Sequence, residues 1–181
     1  DAIVRNDAVY FAAVGGAAAM IINIFVGFFV GISAGATVTI SQFFGGGRFR
    51  EVKESIHTAI AFSLVAGLVI MVVGFLLAPR ALAIMDTPAD TMEGSVLYLR
   101  IYFCGMIANL LYNMGAGILR AMGDSKRPLY FLIVSCIVNV ALDILLVVAF
   151  NMGVAGVALA TIMSQIVSAL LVWVALAKLS G

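Results

Sequence analysis

Long uninterrupted apolar runs are the feature that most limits what this chain can fold into. The hydrocarbon core of a bilayer is about 30 Å thick, and a helix needs about 20 apolar residues to cross it. Runs of this kind cover residues 15–42, 57–77, 96–119, 129–150 and 154–176. Backbone groups in lipid must be hydrogen-bonded within their own segment, and the alternating pattern of barrel strands is absent. The sequence therefore predicts an all-α, polytopic membrane helix bundle of about five transmembrane helices.

Composition supports a membrane protein with one membrane domain over residues 1–181. The chain is 64% hydrophobic and 10% charged, whereas soluble domains carry about 25% charged residues. The net charge of +1 says nothing about nucleic acid, but the sequence has no basic cluster with interleaved aromatics, so we expect no nucleic-acid partner. Cys104 and Cys136 lie in apolar runs, so we expect buried thiols rather than a disulfide or a metal pair.

Basic residues separate the two sides of the predicted bundle. With five antiparallel spans, one side receives Arg48, Arg50, Lys53, Arg120, Lys126, Arg127 and Lys178. The other side receives Arg5, Arg80, Arg100, Asp86, Asp90 and Glu93. The positive-inside rule then places loops 43–56 and 120–128 in the cytoplasm, on the inner face of the cell (inner or plasma) membrane. Segment 78–94, which contains two prolines, is predicted to hold a short interfacial helix.

Small residues recur within the first span. Gly27, Gly31 and Gly35 are spaced four residues apart. This spacing is typical of helices that pack closely in membranes. The alternative is that the glycines allow this helix to bend or slide.

Polar side chains form stripes on the last two spans. Ser135, Asn139 and Asp143 share one face of a helix because they are four residues apart. The second stripe consists of Thr161, Gln165 and Ser168. At about 1.5 Å per residue, Asp143 and Thr161 both lie roughly 10 Å below the outer end of the hairpin. The two stripes are therefore predicted to meet at one level.

Asp143 is the residue most in need of a function. A charge at the bilayer centre costs about 2.5–3.5 kcal/mol even on lenient scales, so the carboxyl must face a cavity or polar partners. We expect no basic residue at its depth. Desolvation favours the neutral acid, which makes Asp143 a natural proton carrier. The ionised form, surrounded by amide and hydroxyl oxygens, could instead hold Na⁺.

Two further readings of the polar residues are relevant. Asp143 could simply be hydrogen-bonded to Asn139 and a neighbouring helix to fix their packing. No Ser/His/Asp, Cys/His or His/Glu/His set is visible in the sequence, so it predicts neither an enzyme nor a bound cofactor.

Four segments together resemble the multidrug and toxic compound extrusion (MATE) family. They are GISAGATVTISQFFGGG (31–47), YNMGAGILRAMGDSKRPLYFLI (112–133), NVALD (139–143) and GVAGVALATIMSQ (153–165). The resemblance extends over essentially the whole chain. It implies a 12-helix fold of two six-helix lobes, with the predicted spans as helices two to six of the N-terminal lobe. The first helix and the second lobe would then be missing from this sequence.

The resemblance also implies a function. Members of the family export cationic or amphipathic organic compounds, such as drugs, in exchange for H⁺ or Na⁺. In one branch, an acid on the first helix cooperates with Asn and Asp on the fifth and Thr on the sixth. Asn139, Asp143 and Thr161 match the last three and are the predicted ion-coupling residues and Na⁺ ligands. Candidates for lining the substrate cavity are Met106, Tyr112 and Met163.

Two alternative functions stay open. A lipid-linked saccharide flippase of the same superfamily would be expected to carry basic residues in its cavity, and the span centres here are expected to have none. A non-transporting membrane scaffold would leave Asp143 without a coupled partner and without access to water.

Overall fold

Six helices and one π-helical turn make up the part of the protein that the structure describes. The computed structural model describes residues 2–180, with side chains described for residues 9–179. The helices are α1 (Ala2–Gly45), α2 (Phe49–Ile84), α3 (Ala89–Cys104), α4 (Met106–Ala121), α5 (Lys126–Asp143) and α6 (Gly153–Ser180), and a π-helical turn (Ile144–Ala149) continues α5. No strand occurs among the described residues.

The predicted membrane bundle is confirmed. Four helices are long and apolar enough to cross a bilayer: α1, α2, α5 with its π-helical turn, and α6. Helices α3 and α4 are long and apolar enough only as a pair, which is bent by 51° at the break between them, so the described helices provide four spans, or five if this pair is one span. The break lies at Gly105. A Cβ atom at this position would lie 2.7 Å from Cγ1 of Ile162 in α6, so the close contact leaves no room for a larger residue. The protein is therefore a multi-pass membrane protein.

The helices extend beyond the apolar runs. The segment predicted as loop 43–56 is helical on both sides of a turn at 46–48. The prediction of a separate interfacial helix within 78–94 is wrong. Helix α2 continues through Pro79 to Ile84, and α3 begins at Ala89. Arg5 lies outside the described side chains.

Pro79 is tolerated inside α2 because α3 supplies a replacement hydrogen bond. Proline has no N–H, so it leaves the carbonyl oxygen four residues earlier, at Phe75, without its helical partner. The Arg100 Nε donates to that oxygen over 3.3 Å. The same guanidinium lies over the Phe75 ring, with its carbon 5.1 Å from the ring centroid. Arg100 therefore joins α3 to α2 where the helical ladder is interrupted.

This contact predicts an interaction between two substitutions. We expect Arg100→Leu to lower the free energy of unfolding by about 0.5–1.5 kcal/mol, since the Phe75 carbonyl loses its donor. In a Pro79→Ala background the same change should cost less, because the alanine N–H can bond to that carbonyl. Melting temperatures of the four proteins in detergent measure the coupling. An equal cost in both backgrounds would contradict this account.

The buried hydrophobic residues of the described bundle form two core clusters. Helix α1 packs against α2, α3 and α4, while α6 packs against α3, α4 and α5. Met106, a candidate for lining the substrate cavity, is completely buried within the described bundle and faces no cavity. The Tyr112 hydroxyl donates to the Pro128 carbonyl oxygen over 3.1 Å, and Met163 is exposed.

Glycine packing occurs at positions other than those expected. A Cβ atom added at Gly27, Gly31 or Gly35 would meet nothing within 4 Å, so their predicted role in packing is wrong for the described bundle. The helices instead approach one another at Gly67, Gly74, Gly115 and Gly117. At Gly117 a Cβ would lie 2.6 Å from the Thr37 hydroxyl oxygen of α1.

Helix α5 is the least covered element. Only Pro128 and Ser135 are buried along it, and its main neighbour is α6. Cys136 of α5 and Cys104 of α3 are both exposed free thiols. The expectation that the two cysteines are buried is therefore wrong.

The basic residues assigned to one side do lie at one end of the bundle. A groove of about 290 Å³ is lined by Lys53 of α2, Met122 after α4, Arg127 of α5 and Leu179 of α6. The turn between α1 and α2, the turn between α4 and α5, and the end of α6 are thus neighbours. Exposed ion pairs at this end join Arg48 to Glu51, Arg50 to Glu54 and Arg127 to Asp124. This end is called the basic end below.

Candidate functional site

A buried hydrogen bond sets how α5 faces α6. The Ser135 hydroxyl donates to the Ser164 carbonyl oxygen over 2.8 Å. Asn139 and Asp143 follow one and two turns later on the same face of α5, because residues four apart lie above one another on a helix. Both are half-buried. The polar stripe of α5 therefore lies on the side of the helix that packs against α6.

Tyr98 of α3 connects the two stripes. Its side chain approaches Thr161 of α6, and its hydroxyl lies within electrostatic range of Asp143 on α5. The Thr161 hydroxyl itself donates to the Val157 carbonyl oxygen of its own helix over 3.0 Å. Asp143 and Thr161 thus lie near one hydroxyl group, at the junction of α3, α5 and α6.

Several buried polar atoms at this junction have no hydrogen-bond partner among the described residues. They are Ser95 Oγ, Asn139 Nδ2, Asp143 Oδ1 and Gln165 Oε1. A buried polar group left unpaired costs about 1–3 kcal/mol. Such groups are retained where a proton, an ion or a water molecule satisfies them. Carboxylate and amide oxygens are also the ligands that hard cations prefer.

A second hydrogen bond extends the cluster along α3 and α6. The Gln165 Nε2 donates to the Tyr102 hydroxyl over 3.1 Å. The rings of Tyr98 and Tyr102 are stacked, with centroids 6.3 Å apart and an interplanar angle of 20°. One face of α3 therefore presents two tyrosine hydroxyls to α6.

The helix changes geometry directly after Asp143. The Phe150 N–H donates to the Leu145 carbonyl oxygen, five residues earlier, over 3.2 Å. Single π-helical turns of this kind occur often at functional sites. An apolar cavity of about 180 Å³ lies beside the turn and is lined by Tyr98, Val147, Val157 and Gly15. The cavity therefore lies between α1 and the π-helical turn that follows Asp143, and Tyr98 lines it.

Tyr98 and Tyr102 were not singled out from the sequence. A signal was present, since Ser95, Tyr98 and Tyr102 are spaced three and four residues apart within an apolar run. This spacing places three hydroxyl groups on one helix face. Tyrosine is common in apolar surroundings, and this made the stripe easy to overlook.

The expectation that no basic residue lies at the depth of Asp143 is wrong, because of Arg100. It lies two residues from Tyr98, so a basic residue does occur near the depth of Asp143. Its guanidinium points instead to α2, where it bonds to the Phe75 carbonyl oxygen. The ion pairs found among the described side chains do not include Asp143. The carboxyl group is therefore not neutralised by a described basic neighbour.

Comparison with known structures shows the same fold. A MOP superfamily transporter from Pyrococcus furiosus superposes with a TM-score of 0.86 at 21% identity, covering 94% of this chain and 39% of that one. An outward-facing multidrug resistance MATE family transporter of the MOP superfamily gives a TM-score of 0.82 at 22% identity, covering 96% and 40%.

Sequence relatives agree with the fold. The "Probable multidrug resistance protein YoeA" of Bacillus subtilis (strain 168) is 34% identical over 157 residues, which cover 84% of this chain and 34% of that protein. The "Probable multidrug resistance protein YpnP" of the same organism is 30% identical over 138 residues, covering 76% and 31%. The chain thus spans about a third of the length of these relatives. Because the MatE family model matches residues 7–145, more than half of the chain, the protein belongs to the MatE family.

Proposed function

We propose that this chain is part of a secondary active antiporter that exports cationic or amphipathic organic compounds in exchange for H⁺ or Na⁺. The observation that carries the proposal is the buried, unpartnered Oδ1 of Asp143 at the junction of α3, α5 and α6. An ionisable group inside a membrane bundle that no basic residue neutralises is suited to binding and releasing a cation. The names of the two Bacillus relatives support drugs as the exported compounds.

The coupling step would be an exchange of partners at Asp143. The unpartnered Asn139 Nδ2 is a donor and the unpartnered Asp143 Oδ1 is an acceptor, one helical turn apart. In the ion-free state the amide could donate to the carboxylate. A proton would neutralise the carboxylate, while Na⁺ would recruit oxygens of Asp143, Asn139 and Thr161. Either event changes how α5 packs on α3 and α6, and this change biases the transporter between its two access states.

The orientation of the chain is part of the proposal. The basic end of the bundle would face the cytoplasm, because basic residues accumulate on that side of membrane proteins. The protein would then lie in the cell membrane, with loops 43–56 and 120–128 on the cytoplasmic side. Substrate would enter from this end and leave from the opposite one.

Reconstitution of the full-length protein tests the proposed function. Liposomes containing the protein and a fluorescent organic cation are given a pH gradient or a Na⁺ gradient. We expect one of the two gradients to drive export of the dye, and an ionophore that collapses that gradient should stop it. Export with the pH gradient alone would assign H⁺ as the coupling ion. Export that ignores both gradients would refute antiport.

A further inference from the structure

A groove between α1 and α2 opens at the basic end, far from the Asp143 cluster. Its volume is about 610 Å³, and Met114 of α4 forms its floor. Small-molecule sites are typically clefts of about 300–1,000 Å³ with mostly apolar walls and a few placed polar groups. The groove therefore has the size and composition of a ligand site.

The charged groups that line the groove are acidic, and each is paired with an arginine outside the lining. Glu51 and Glu54 line it near the start of α2, and its described lining includes no Lys or Arg. The Thr39 hydroxyl donates to the Gly35 carbonyl oxygen over 3.3 Å, and that of Thr58 donates to the Glu54 carbonyl oxygen over 2.9 Å. These hydroxyl protons are therefore used within the helices, and oxygen lone pairs remain for a ligand.

The apolar part of the groove extends into the membrane. Ile32 and Phe62 lie at its deep end, while Phe43 lies near Glu51 at its mouth. Phe62 is eleven residues beyond Glu51, which corresponds to about 16 Å along the helix. A ligand that matches this gradient has a positive group at the interface and an apolar body in the hydrocarbon region.

Arg48 already places a delocalised cation at the mouth. Its guanidinium carbon lies 4.8 Å from the Phe43 ring centroid, and its Nη2 lies 2.8 Å from Glu51 Oε1. Hydrogen bonds from its own backbone N–H and from Arg48 hold the pKa of Glu51 below its usual value. Exposed ion pairs of this kind are weak because water screens them, so a ligand that also fills the apolar groove can displace the arginine.

We propose that this groove is a binding site for amphipathic organic cations, with the positive group held between Phe43 and Glu51 in place of Arg48. The ligand class rests on the proposed export function. The site itself rests on the volume, the acidic charge of the lining and the cation already seated at the mouth. Because it opens at the basic end, it would receive substrate before the substrate reaches the central pathway.

Binding of tetraphenylphosphonium to the purified full-length protein tests the charge recognition. Glu51→Gln should weaken binding about tenfold, through loss of the paired carboxylate. Arg48→Gln should strengthen binding about threefold, because it removes the competing cation. Lys53→Gln removes the same charge outside the groove and should change the affinity little. Tetraphenylborate has the same shape and the opposite charge, and it should bind at least tenfold more weakly.

A cavity-filling variant tests the location. Gly35 lines the groove, and a Cβ atom there meets nothing within 4 Å, so Gly35→Leu adds bulk to the groove without a clash. We expect it to remove the part of the tetraphenylphosphonium binding that Glu51→Gln weakens, whereas binding in the central pathway should remain. Gly27→Leu is the matched control, because Gly27 lies on the same helix with equally open space but outside the groove.

The outcomes separate this site from the antiporter proposal. Unchanged binding in Gly35→Leu, weaker binding in Arg48→Gln, or equal binding of tetraphenylborate would each overturn the groove site, even if export remains driven by an ion gradient. A groove that behaves as expected in a protein whose export ignores both gradients would keep the site and reject antiport.

Discussion

We expect replacement of Asp143 with asparagine to abolish gradient-driven export by the full-length protein while leaving its expression and thermal stability close to wild type. Asparagine has the same shape as aspartate but can neither take up a proton nor supply a negative charge for Na⁺. A neutral amide is also cheaper than a carboxylate in an apolar environment, so the fold loses nothing by the change. The measurement is the rate of dye export from proteoliposomes, which should fall to that of liposomes without protein.

A matched carboxylate separates coupling from the general effect of losing a charge. Asp124 lies in the turn before α5 and forms an ion pair with Arg127 at the basic end, 3.0 Å apart. Asp124→Asn removes one negative charge outside the spans, and we expect it to retain most of the export rate. Wild-type export by Asp143→Asn, with a melting temperature that shows an intact fold, would refute the coupling role.

The site at the junction of α3, α5 and α6 could be predicted only in part from the sequence. The stripe on α5 could be predicted because the helical repeat alone determines that Asn139 and Asp143 share a face. The helix that faces this stripe is determined by tertiary packing, and Tyr98 belongs to a span whose neighbours the sequence pattern does not reveal. Its hydroxyl lies close to both Thr161 and Asp143 only because α3 packs against α6.

The paths of the helices also depend partly on local sequence patterns and partly on tertiary packing. Hydropathy predicted the membrane class and the all-α fold, since lipid leaves few other solutions for the backbone. It did not predict the helical path through Pro79, because the compensating Arg100 comes from a different helix. Glycine roles were misjudged for the same reason. Regular spacing along α1 marks open positions at Gly27 and Gly35, whereas close approach depends on what the partner helix places opposite.

Gly67→Val should be among the most destabilising single substitutions in the bundle. A Cβ atom at Gly67 would lie 2.9 Å from the Cα atom of Ile107 in α4 and 3.0 Å from its Cγ1. A backbone atom cannot rotate away, so α2 and α4 must separate. Overpacking of this kind typically costs about 1–3 kcal/mol. Melting of the purified protein in detergent measures the loss.

Gly27→Val provides the comparison that assigns this cost to packing. It introduces the same side chain into a membrane helix, but a Cβ atom there meets nothing within 4 Å. Valine is somewhat better than glycine in a helix interior, so we expect this variant to melt at or slightly above the wild-type temperature. Equal destabilisation by the two substitutions would mean that the loss comes from helix propensity or membrane insertion. A loss confined to Gly67→Val would instead locate it in the contact between α2 and α4, where the two backbones approach each other at Gly67.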